Sequence, residues 1–296
     1  MEFSNRKPVP RGRSKNRAAR GNTAVAAETL CALNSAGGSN EGFLTMQTIA
    51  RAALAAVLLA LPATAADHKV PANIAAAVAD SSRPESDRAR DANRRPAESL
   101  IFADVKPGER VADIIPGTGY FTRLFSKAVG PEGYVYAYIP SDIDAMYKKH
   151  GMTVPPPADP NYRNVAYIHA PIEKFVTPEK LDIAWTSQNY HDLHDKFFGP
   201  PNIDKVNKAI YDSLKPGGIF IVLDHAAERG SGLRDTDTLH RIDEAAVKKE
   251  IEAAGFKLVA ESDILRNPGD PHTKLVFDPS IRGKTDQFLL KFRKPR

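Results

Sequence analysis

The sequence predicts an α/β fold: a doubly wound, seven-stranded, mostly parallel sheet with helices on both faces and an antiparallel last strand. From residue 106 onward, short apolar or β-branched runs alternate with segments of helical periodicity, which is typical of βαβ units. A glycine-rich turn joins the first strand to the first helix of this series. The last two strands are joined by a polar loop, and the final strand is predicted to be antiparallel.

The individual elements follow this alternation along the chain. The run at 218–224 is almost continuously apolar, as expected for a strand buried on both faces of a sheet. The helix before it ends at a Lys-Pro-Gly-Gly sequence, where glycine permits a left-handed backbone. The predicted strands are residues 110–115, 133–139, 164–168, 181–186, 218–224, 256–262 and 287–292, and the predicted helices are residues 120–129, 202–214 and 240–254.

Two segments at the start of the chain are predicted to lie outside the fold. Residues 1–45 lack periodicity and are predicted to be a disordered extension, or an over-extended start with translation beginning at Met46. Residues 46–65 combine Arg51, a short apolar run and an Ala-x-Ala site at Ala63 and Ala65. This pattern predicts a cleaved signal peptide and export to the bacterial periplasm, with a buried helix as the alternative.

A polar segment, residues 66–98, is predicted to precede the main domain at 99–296. Its charges alternate in sign, which favours an exposed helix stabilised by pairs three and four residues apart. The alternative is a lid helix whose arginines bind the carboxylate of a ligand. The charged residues concerned are Asp87, Arg88, Arg90, Asp91, Arg94 and Arg95.

Charge and cysteine content exclude several classes of function. The net charge of +5 comes from residues 1–65, because residues 66–296 hold 33 basic and 33 acidic side chains. A nucleic-acid partner, which requires a basic patch, is therefore not predicted. No run approaches the roughly 20 apolar residues of a membrane span. Cys31 lies upstream of the predicted cleavage site, so the mature chain has no disulfide and no thiolate site.

Three motifs resemble those of the class I S-adenosylmethionine (SAM) dependent methyltransferases, which have a Rossmann-like fold. The first is Asp113 at the end of the first strand, followed by the turn at 116–119. The others are residues 214–218 before the fifth strand and residues 253–256 before the sixth. The sequences at 116–122 and 189–192 are similar to motifs of a group of predicted, often exported, bacterial methyltransferases.

The resemblance implies that SAM is the co-substrate and that the turn holds its methionine part, with Asp113 near the amino group. The two glycines of the turn let the backbone approach a ligand closely, and the helix that follows has free N–H groups. Tight strand-to-helix turns need glycine in any case, so a purely structural role is the alternative. The implied cofactor-binding residues are Asp113, Pro116, Gly117, Thr118, Gly119 and Tyr120.

Two positions depart from the pattern of the family. Ile115 stands where the family usually has glycine, and Ile139 stands where an acidic residue usually binds the ribose hydroxyls. The nearest carboxylates to the second position are Asp142 and Asp144. These departures and the predicted export favour an alternative function, a catalytically inactive methyltransferase-fold binding protein in the periplasm. The order of seven strands disfavours a nucleotide-dependent oxidoreductase.

The loop after the fourth strand carries the predicted catalytic residues, because ligands of open α/β sheets bind beyond the carboxyl ends of the strands. Methyl transfer to a hydroxyl or an amine needs a base. His191 and Asp192 are predicted to supply it, with Asn189 and Tyr190 orienting the acceptor. His225 can join them from the fifth strand, and the alternative role of His191 is a structural hydrogen bond in the loop.

No metal site is predicted, although His191, His194 and Asp195 have a spacing that one helical turn can use for a metal. Two histidines three residues apart often occur by chance in sequences, and no matched third ligand accompanies these two. The sequence thus predicts a SAM-dependent methyltransferase acting on an unidentified small molecule. Three further histidines belong to no motif and are predicted to be surface or packing residues: His169, His240 and His272.

Overall fold

The computed structural model describes residues 69–296, with the exception of residues 152, 155 and 157. Within these residues the strands are β1 (Arg110–Ile114), β2 (Tyr134–Pro140), β3 (Val165–Ala170), β4 (Leu181–Ser187), β5 (Leu214–His225), β6 (Lys257–Ser262) and β7 (Gln287–Arg293). They form one sheet in the order β3-β2-β1-β4-β5-β7-β6. Only β7 is antiparallel to its neighbours, β5 and β6. The predicted fold class is confirmed.

Helices cover both faces of this sheet. They are α1 (Ala72–Val78), α2 (Glu85–Arg88), α3 (Asp91–Arg94), α4 (Pro96–Ala103), α5 (Tyr120–Val129), α6 (Asp144–Lys149), α7 (Ile203–Ser213), α8 (Thr236–Leu239) and α9 (Glu244–Ala253). Successive side chains of a strand point to opposite faces. Accordingly, Val111 of β1 packs in a core with α1, α4 and α5, whereas Ala112 belongs to a core with α7 and α9.

The predicted helix at 240–254 is shorter than expected at its start. His240 has a left-handed backbone, with φ of 52°, and it ends α8 instead of beginning α9. Helix α9 begins after Asp243, whose carboxylate accepts the backbone N–H of Ala245 at 3.1 Å. Such an N-terminal cap satisfies one of the free N–H groups of the first turn and sets the start of the helix.

The segment before β1 corrects the prediction of one exposed, charged helix. Four short helices, α1 to α4, replace it, and Pro84 and Pro96 stand at their starts, where the missing N–H of proline is tolerated. Arg83 is buried and pairs with Asp91 at 2.6 Å, while Asp87 is buried and pairs with Arg123 of α5 at 2.6 Å. Asp91 and Asp87 thus pair with buried or half-buried partners, whereas Arg88 and Arg95 stay exposed and form the predicted pairs three residues apart, with Glu85 and Glu98. Helix α4 crosses residue 98, so no break in structure marks that predicted boundary.

The predicted extension at 1–45 and signal peptide at 46–65 lie outside the described residues. Both stay predictions, and so does the export that the signal peptide implies. Among the residues that are described, no helix has the length and hydropathy required to cross a membrane.

Candidate active site

A cavity of about 610 Å³ lies beyond the carboxyl ends of β1 and β4. These two strands are neighbours in the centre of the sheet, and the strand order reverses between them, which is where ligands of doubly wound sheets bind. One wall is the turn after β1, and another is the loop after β4. Residues from outside the predicted motifs complete it, among them Arg94 of α3 and Phe277 of the loop before β7.

The turn after β1 has the backbone that its glycines permit. Gly117 and Gly119 have φ of 54° and 80°, in the left-handed region. Ile115, in place of the usual glycine, also has a left-handed φ, of 55°. For a β-branched residue this conformation costs of order 1–3 kcal/mol. It is held by a hydrogen bond from Asn189 Nδ2 to the Ile115 carbonyl, at 2.8 Å.

The predicted cofactor residues stand around this turn. Asp113 is buried, and its carboxylate accepts a hydrogen bond from the Thr122 hydroxyl at 2.6 Å. Burial raises the pKa of Asp113 to about 7. Gly119 caps the start of α5. Asp113 lines the cavity, and so do the remaining predicted cofactor-binding residues, Pro116, Gly117, Thr118 and Tyr120.

The end of β2 offers no carboxylate to the cavity. Ile139 is buried in the core. Asp142 accepts the backbone N–H of Ile172 at 2.8 Å, and Asp144 pairs with His169 at 2.7 Å. Neither aspartate reaches the cavity, so the departure noted in the sequence at Ile139 persists in the structure.

Two arginines from the segment before β1 do line the cavity, as the lid alternative proposed. Arg94 donates a hydrogen bond to Gln188 Oε1 at 2.7 Å, and its guanidinium lies 4.8 Å from the centre of the Tyr120 ring. Arg90 lies over the same ring at 5.0 Å. The Tyr120 hydroxyl donates to Asp91 at 2.6 Å, which fixes the ring beneath both guanidinium groups. The structure favours this alternative over a solvated face.

His191 also lines the cavity and is oriented by Asp224. Its Nδ1–H donates to Asp224 Oδ1 at 2.8 Å, and its backbone N–H donates to Asp224 Oδ2 at 2.8 Å. Nε2 therefore points the other way and lies 3.1 Å from Asp192 Oδ1. Burial opposes the charged imidazolium, but Asp224 and Asp192 outweigh it and hold the pKa of His191 well above its usual range.

His240 lines the cavity beside His191, in contrast to its predicted role as a surface or packing residue. Its Nδ1 lies 3.2 Å from His191 Nε2, and the two rings meet edge to face. The two residues are 49 positions apart in the sequence. They meet because the chain returns from β5 through α8 to the loop after β4.

Tyr190 corrects the prediction for the loop after β4. Its side chain points into the core, where its hydroxyl donates to Glu250 at 3.0 Å and accepts from Asn207 at 2.8 Å. It does not line the cavity and cannot orient an acceptor there. Asn189 does line the cavity, but its amide donates to the carbonyls of Ile115 and Ser187 and so supports the turn.

His225 lines the cavity beside His191 without sharing a hydrogen bond with it. Its Nδ1 lies 2.7 Å from the Thr285 hydroxyl, and the two imidazole rings are 6.1 Å apart. Burial lowers the pKa of His225 to about 3, so this ring is neutral at physiological pH.

Comparison with known proteins assigns the family. No family model matches the chain. A ubiquinone/menaquinone biosynthesis C-methyltransferase of Methylococcus capsulatus is 30% identical over 201 residues, which are 65% of this chain and 74% of that protein. The chain belongs to the class I SAM-dependent methyltransferases. The enzyme of the same name from Pseudomonas paraeruginosa is 34% identical to this methyltransferase over 198 residues, 65% of this chain and 66% of its own.

Solved structures are similar to this methyltransferase at lower identity. A SAM-dependent methyltransferase from Aquifex aeolicus is 19% identical, and the match covers 67% of this chain and 88% of that one with a TM-score of 0.45. The predicted co-substrate, SAM, agrees with the family assignment. The alternative of an inactive periplasmic binding protein is not supported by these relatives.

Two residues important to the methyltransferase's cavity carry no motif in the sequence. They are Asp224, which orients His191 from behind the cavity wall, and His240, which lines the cavity. The sequence signal for Asp224 was its position at the carboxyl end of β5, where a polar residue ends an apolar run. His240 has no comparable signal, because only the tertiary fold brings it to the loop after β4.

Proposed function

We propose that this methyltransferase transfers the methyl group of SAM to a small aromatic molecule that carries a ring hydroxyl. The observation that carries the proposal is one cavity with two chemically different ends. One end has the glycine turn with Asp113, and the other has His191, oriented by Asp224, among aromatic side chains. A volume of about 610 Å³ is within the range of small-molecule sites.

The end with the glycine turn suits the methionine part of SAM. Asp113 offers a carboxylate to the α-ammonium group, and the turn lets the ligand approach the backbone. Arg94 lies on the same wall and offers a guanidinium to the α-carboxylate, for which its planar fork is well matched. A zwitterionic amino acid is thereby bound by one group of each sign.

Replacing Asp113 with asparagine is expected to weaken SAM binding by roughly 10- to 100-fold, because a charge-assisted hydrogen bond of about 1.5–3 kcal/mol is lost. The Thr122 hydrogen bond can be kept by the amide. In the native protein the affinity should fall as the pH is lowered through about 7, because protonated Asp113 no longer attracts the ammonium group.

Calorimetric titration with SAM and S-adenosylhomocysteine between pH 8 and pH 6 measures both effects. Besides Thr122, the charged groups that act on Asp113 are Arg94 and Arg123, and both remain charged over this range. The affinity of the Asp113→Asn variant should therefore change little with pH. An equal slope in the variant and the native protein would show that Asp113 does not contact the ammonium group.

The end with His191 suits a flat aromatic acceptor. Phe197 and Phe277 line it and flank the His240 ring, at 6.4 and 5.2 Å between ring centres. Aromatic rings pair favourably at such distances. The relatives named as ubiquinone/menaquinone C-methyltransferases act, by their names, in the synthesis of quinones, which is consistent with a ring substrate.

The chemistry requires the acceptor to lose a proton. Because the pKa of His191 is held well above its usual range, the imidazole first loses its own Nε2 proton to solvent. The hydroxyl proton then passes to Nε2, and the electron-rich ring or its oxygen attacks the methyl carbon of SAM. The bond from that carbon to sulfur breaks, a bond to the acceptor forms, and S-adenosylhomocysteine is left. Asp224 holds the ring of His191 in the tautomer whose free lone pair faces the cavity.

Methyl transfer from isotopically labelled SAM to a panel of acceptors tests the proposal. Hydroquinones and naphthohydroquinones should become labelled, and their dimethyl ethers, which have the same ring without a proton to lose, should not. The Phe277→Ala variant should raise KM for the ring while the affinity for SAM stays unchanged, since Phe277 packs against the His240 ring at 5.2 Å. Labelling of amines, with no labelling of any ring hydroxyl compound, would overturn the assignment.

A further inference from the structure

Four side chains at the His191 end of the cavity converge on one point. They are His191, Asp192, Asp195 and His240, and we refer to them as the His–Asp cluster. Each offers one nitrogen or carboxylate oxygen, and these four atoms all lie within 4.8 Å of one another. Asp192 and His240 line the cavity, and Asp195 lies behind them.

The spacing of these atoms matches that of ligands around one metal ion. His191 Nε2 lies 3.1 Å from Asp192 Oδ1 and 3.2 Å from His240 Nδ1. His240 Nδ1 lies 3.6 Å from both Asp192 Oδ1 and Asp195 Oδ2. Two ligands at about 2.1 Å from a tetrahedral ion are about 3.4 Å apart, and adjacent ligands of an octahedral ion are about 3.0 Å apart.

Asp195 supplies an independent observation that points to a cation. Its side chain is 0% exposed, and neither of its carboxylate oxygens accepts a well-formed hydrogen bond from any residue that the structure describes. A buried carboxylate without a partner is among the most costly groups in a protein interior. One of these oxygens, Oδ2, lies 3.6 Å from His240 Nδ1 and belongs to the cluster that already holds two imidazoles.

The charges around the cluster also favour a cation, because negative groups outnumber positive ones. Three carboxylates, Asp192, Asp195 and Asp224, surround two imidazoles. Among the described residues, the cationic groups within 4 Å of these carboxylates belong to histidines alone. A divalent ion would neutralise most of this excess negative charge, which one protonated histidine balances only in part.

Asp224 prepares His191 for such an ion. Histidines that bind metals usually donate their other ring N–H to a carboxylate, which fixes the tautomer and raises the basicity of the ligand nitrogen. His191 donates from Nδ1 to Asp224 at 2.8 Å and directs Nε2 to the cluster. His194, which the sequence spacing suggested as a ligand, instead pairs with Glu250 at 3.2 Å.

We propose that the His–Asp cluster binds one divalent transition-metal ion of the zinc class, with two imidazole nitrogens and two carboxylate oxygens as ligands. Mixed nitrogen and oxygen ligands suit zinc, iron, cobalt and manganese, and disfavour magnesium and calcium, which take oxygen. The proposal departs from the sequence prediction of no metal, because His240 and the buried state of Asp195 are visible only in the fold.

The ion faces the cavity at the place where the acceptor ring is proposed to bind. A ring hydroxyl that joins its coordination shell has a lowered pKa, and its proton passes to water at the cavity mouth. His191 is then a ligand, and the ion takes over the activation of the hydroxyl. This role rests on the proposed function, whereas the binding of the ion does not.

Ion binding is tested on the full chain after treatment with a chelator, without SAM or an acceptor. Titration with Zn²⁺ should show one ion per chain, and Co²⁺ should give visible d–d absorption that Zn²⁺ abolishes by competition. Mg²⁺ is the matched control ion and should give no heat of binding. A folded native protein that binds neither Zn²⁺ nor Co²⁺ at millimolar concentration would overturn the proposal.

Matched variants assign the ligands. Asp195→Asn and His240→Gln should each weaken Zn²⁺ binding by at least tenfold, and His194→Gln should leave it unchanged. Zn²⁺ should raise the melting temperature of the native protein but not of Asp195→Asn. Unchanged Zn²⁺ affinity in both ligand variants would show that the ion binds elsewhere. Undiminished methyl transfer by the chelated protein would refute the role of the ion in catalysis and leave the binding site intact.

Discussion

Replacing His191 with alanine is expected to lower the rate of methyl transfer by about 10²- to 10⁴-fold, the usual contribution of a positioned proton acceptor. The expectation holds whether the imidazole takes the hydroxyl proton itself or binds an ion that lowers the pKa of the hydroxyl, because both roles use the same Nε2. That atom points to the acceptor end of the cavity, since Asp224 holds Nδ1. The rate with a hydroquinone acceptor at saturating SAM is the measurement.

His194→Ala is the matched control for this variant. His194 lies in the same short loop, three residues further on, but pairs with Glu250 outside the cavity. Its replacement should leave the rate within a few-fold of the native value. SAM affinity should be unchanged in both variants, because the glycine turn forms the other end of the cavity. A His191→Ala variant that folds, binds SAM and retains the native rate would contradict the assigned role.

Replacing Arg241 with methionine is expected to lower the free energy of unfolding by about 3–5 kcal/mol, as does the loss of one partner of a buried ion pair. Arg241 and Asp270 are paired at 2.9 Å, and both side chains are 0% exposed. The guanidinium also donates to the carbonyls of Ala226 and Lys274, each at 2.9 Å. The variant leaves a charge and two carbonyls buried without these partners. Denaturant-induced unfolding followed by circular dichroism measures the loss.

Two further variants distinguish the loss of the buried ion pair from the loss of a positive charge at any position. Arg234→Met removes an exposed arginine whose partners, Glu228 and Asp235, are neighbours in sequence, and such surface pairs contribute little. The double variant Arg241→Met with Asp270→Leu removes both buried charges and should recover much of the stability lost in the single variant. Equal free energies of unfolding for Arg241→Met and Arg234→Met would show that the buried pair stabilises the protein no more than an exposed pair does.

The sheet was predictable from the sequence because strand patterns are local. The almost continuously apolar run at 218–224 lies inside β5, and α5 occupies the predicted residues 120–129. The observed ends of helices and strands differ from the predicted ones where a single backbone angle or a pairing with a distant strand determines them. The left-handed turn at His240 separates α8 from α9, and β5 begins at Leu214 because Leu214 pairs with Leu181 of β4.

The site was predictable only in part, for a different reason. Asp113 stands near the end of β1, and His191 and Asp192 lie in the loop that follows β4, so their place at the carboxyl edge of the sheet follows from the strand order. Tyr190, in contrast, precedes His191 by one residue but turns into the core, because Asn207 and Glu250 satisfy its hydroxyl there. The orientation of a loop side chain depends on such distant partners, which local sequence does not reveal.

The segment before β1 illustrates the same point for charge. Alternating signs from Asp87 to Arg94 are compatible with a helix in solvent and equally with a buried network. The buried arrangement forms because α5 supplies partners from another part of the chain. Tyr120 binds Asp91, and Arg123 binds Asp87. Sequence patterns show which charged residues form such a network, but not whether the network is buried.

The cavity walls come from distant parts of the chain, which bears on biosynthesis. Arg94 precedes β1, whereas Val276 and Phe277 follow β6. Because a ribosome releases the chain from its amino end, the glycine turn emerges long before the last wall does. Ligand that binds only the completed cavity stabilises the finished molecule by mass action and leaves nascent intermediates unaffected. SAM should therefore protect finished copies of this methyltransferase from proteolysis without assisting their synthesis.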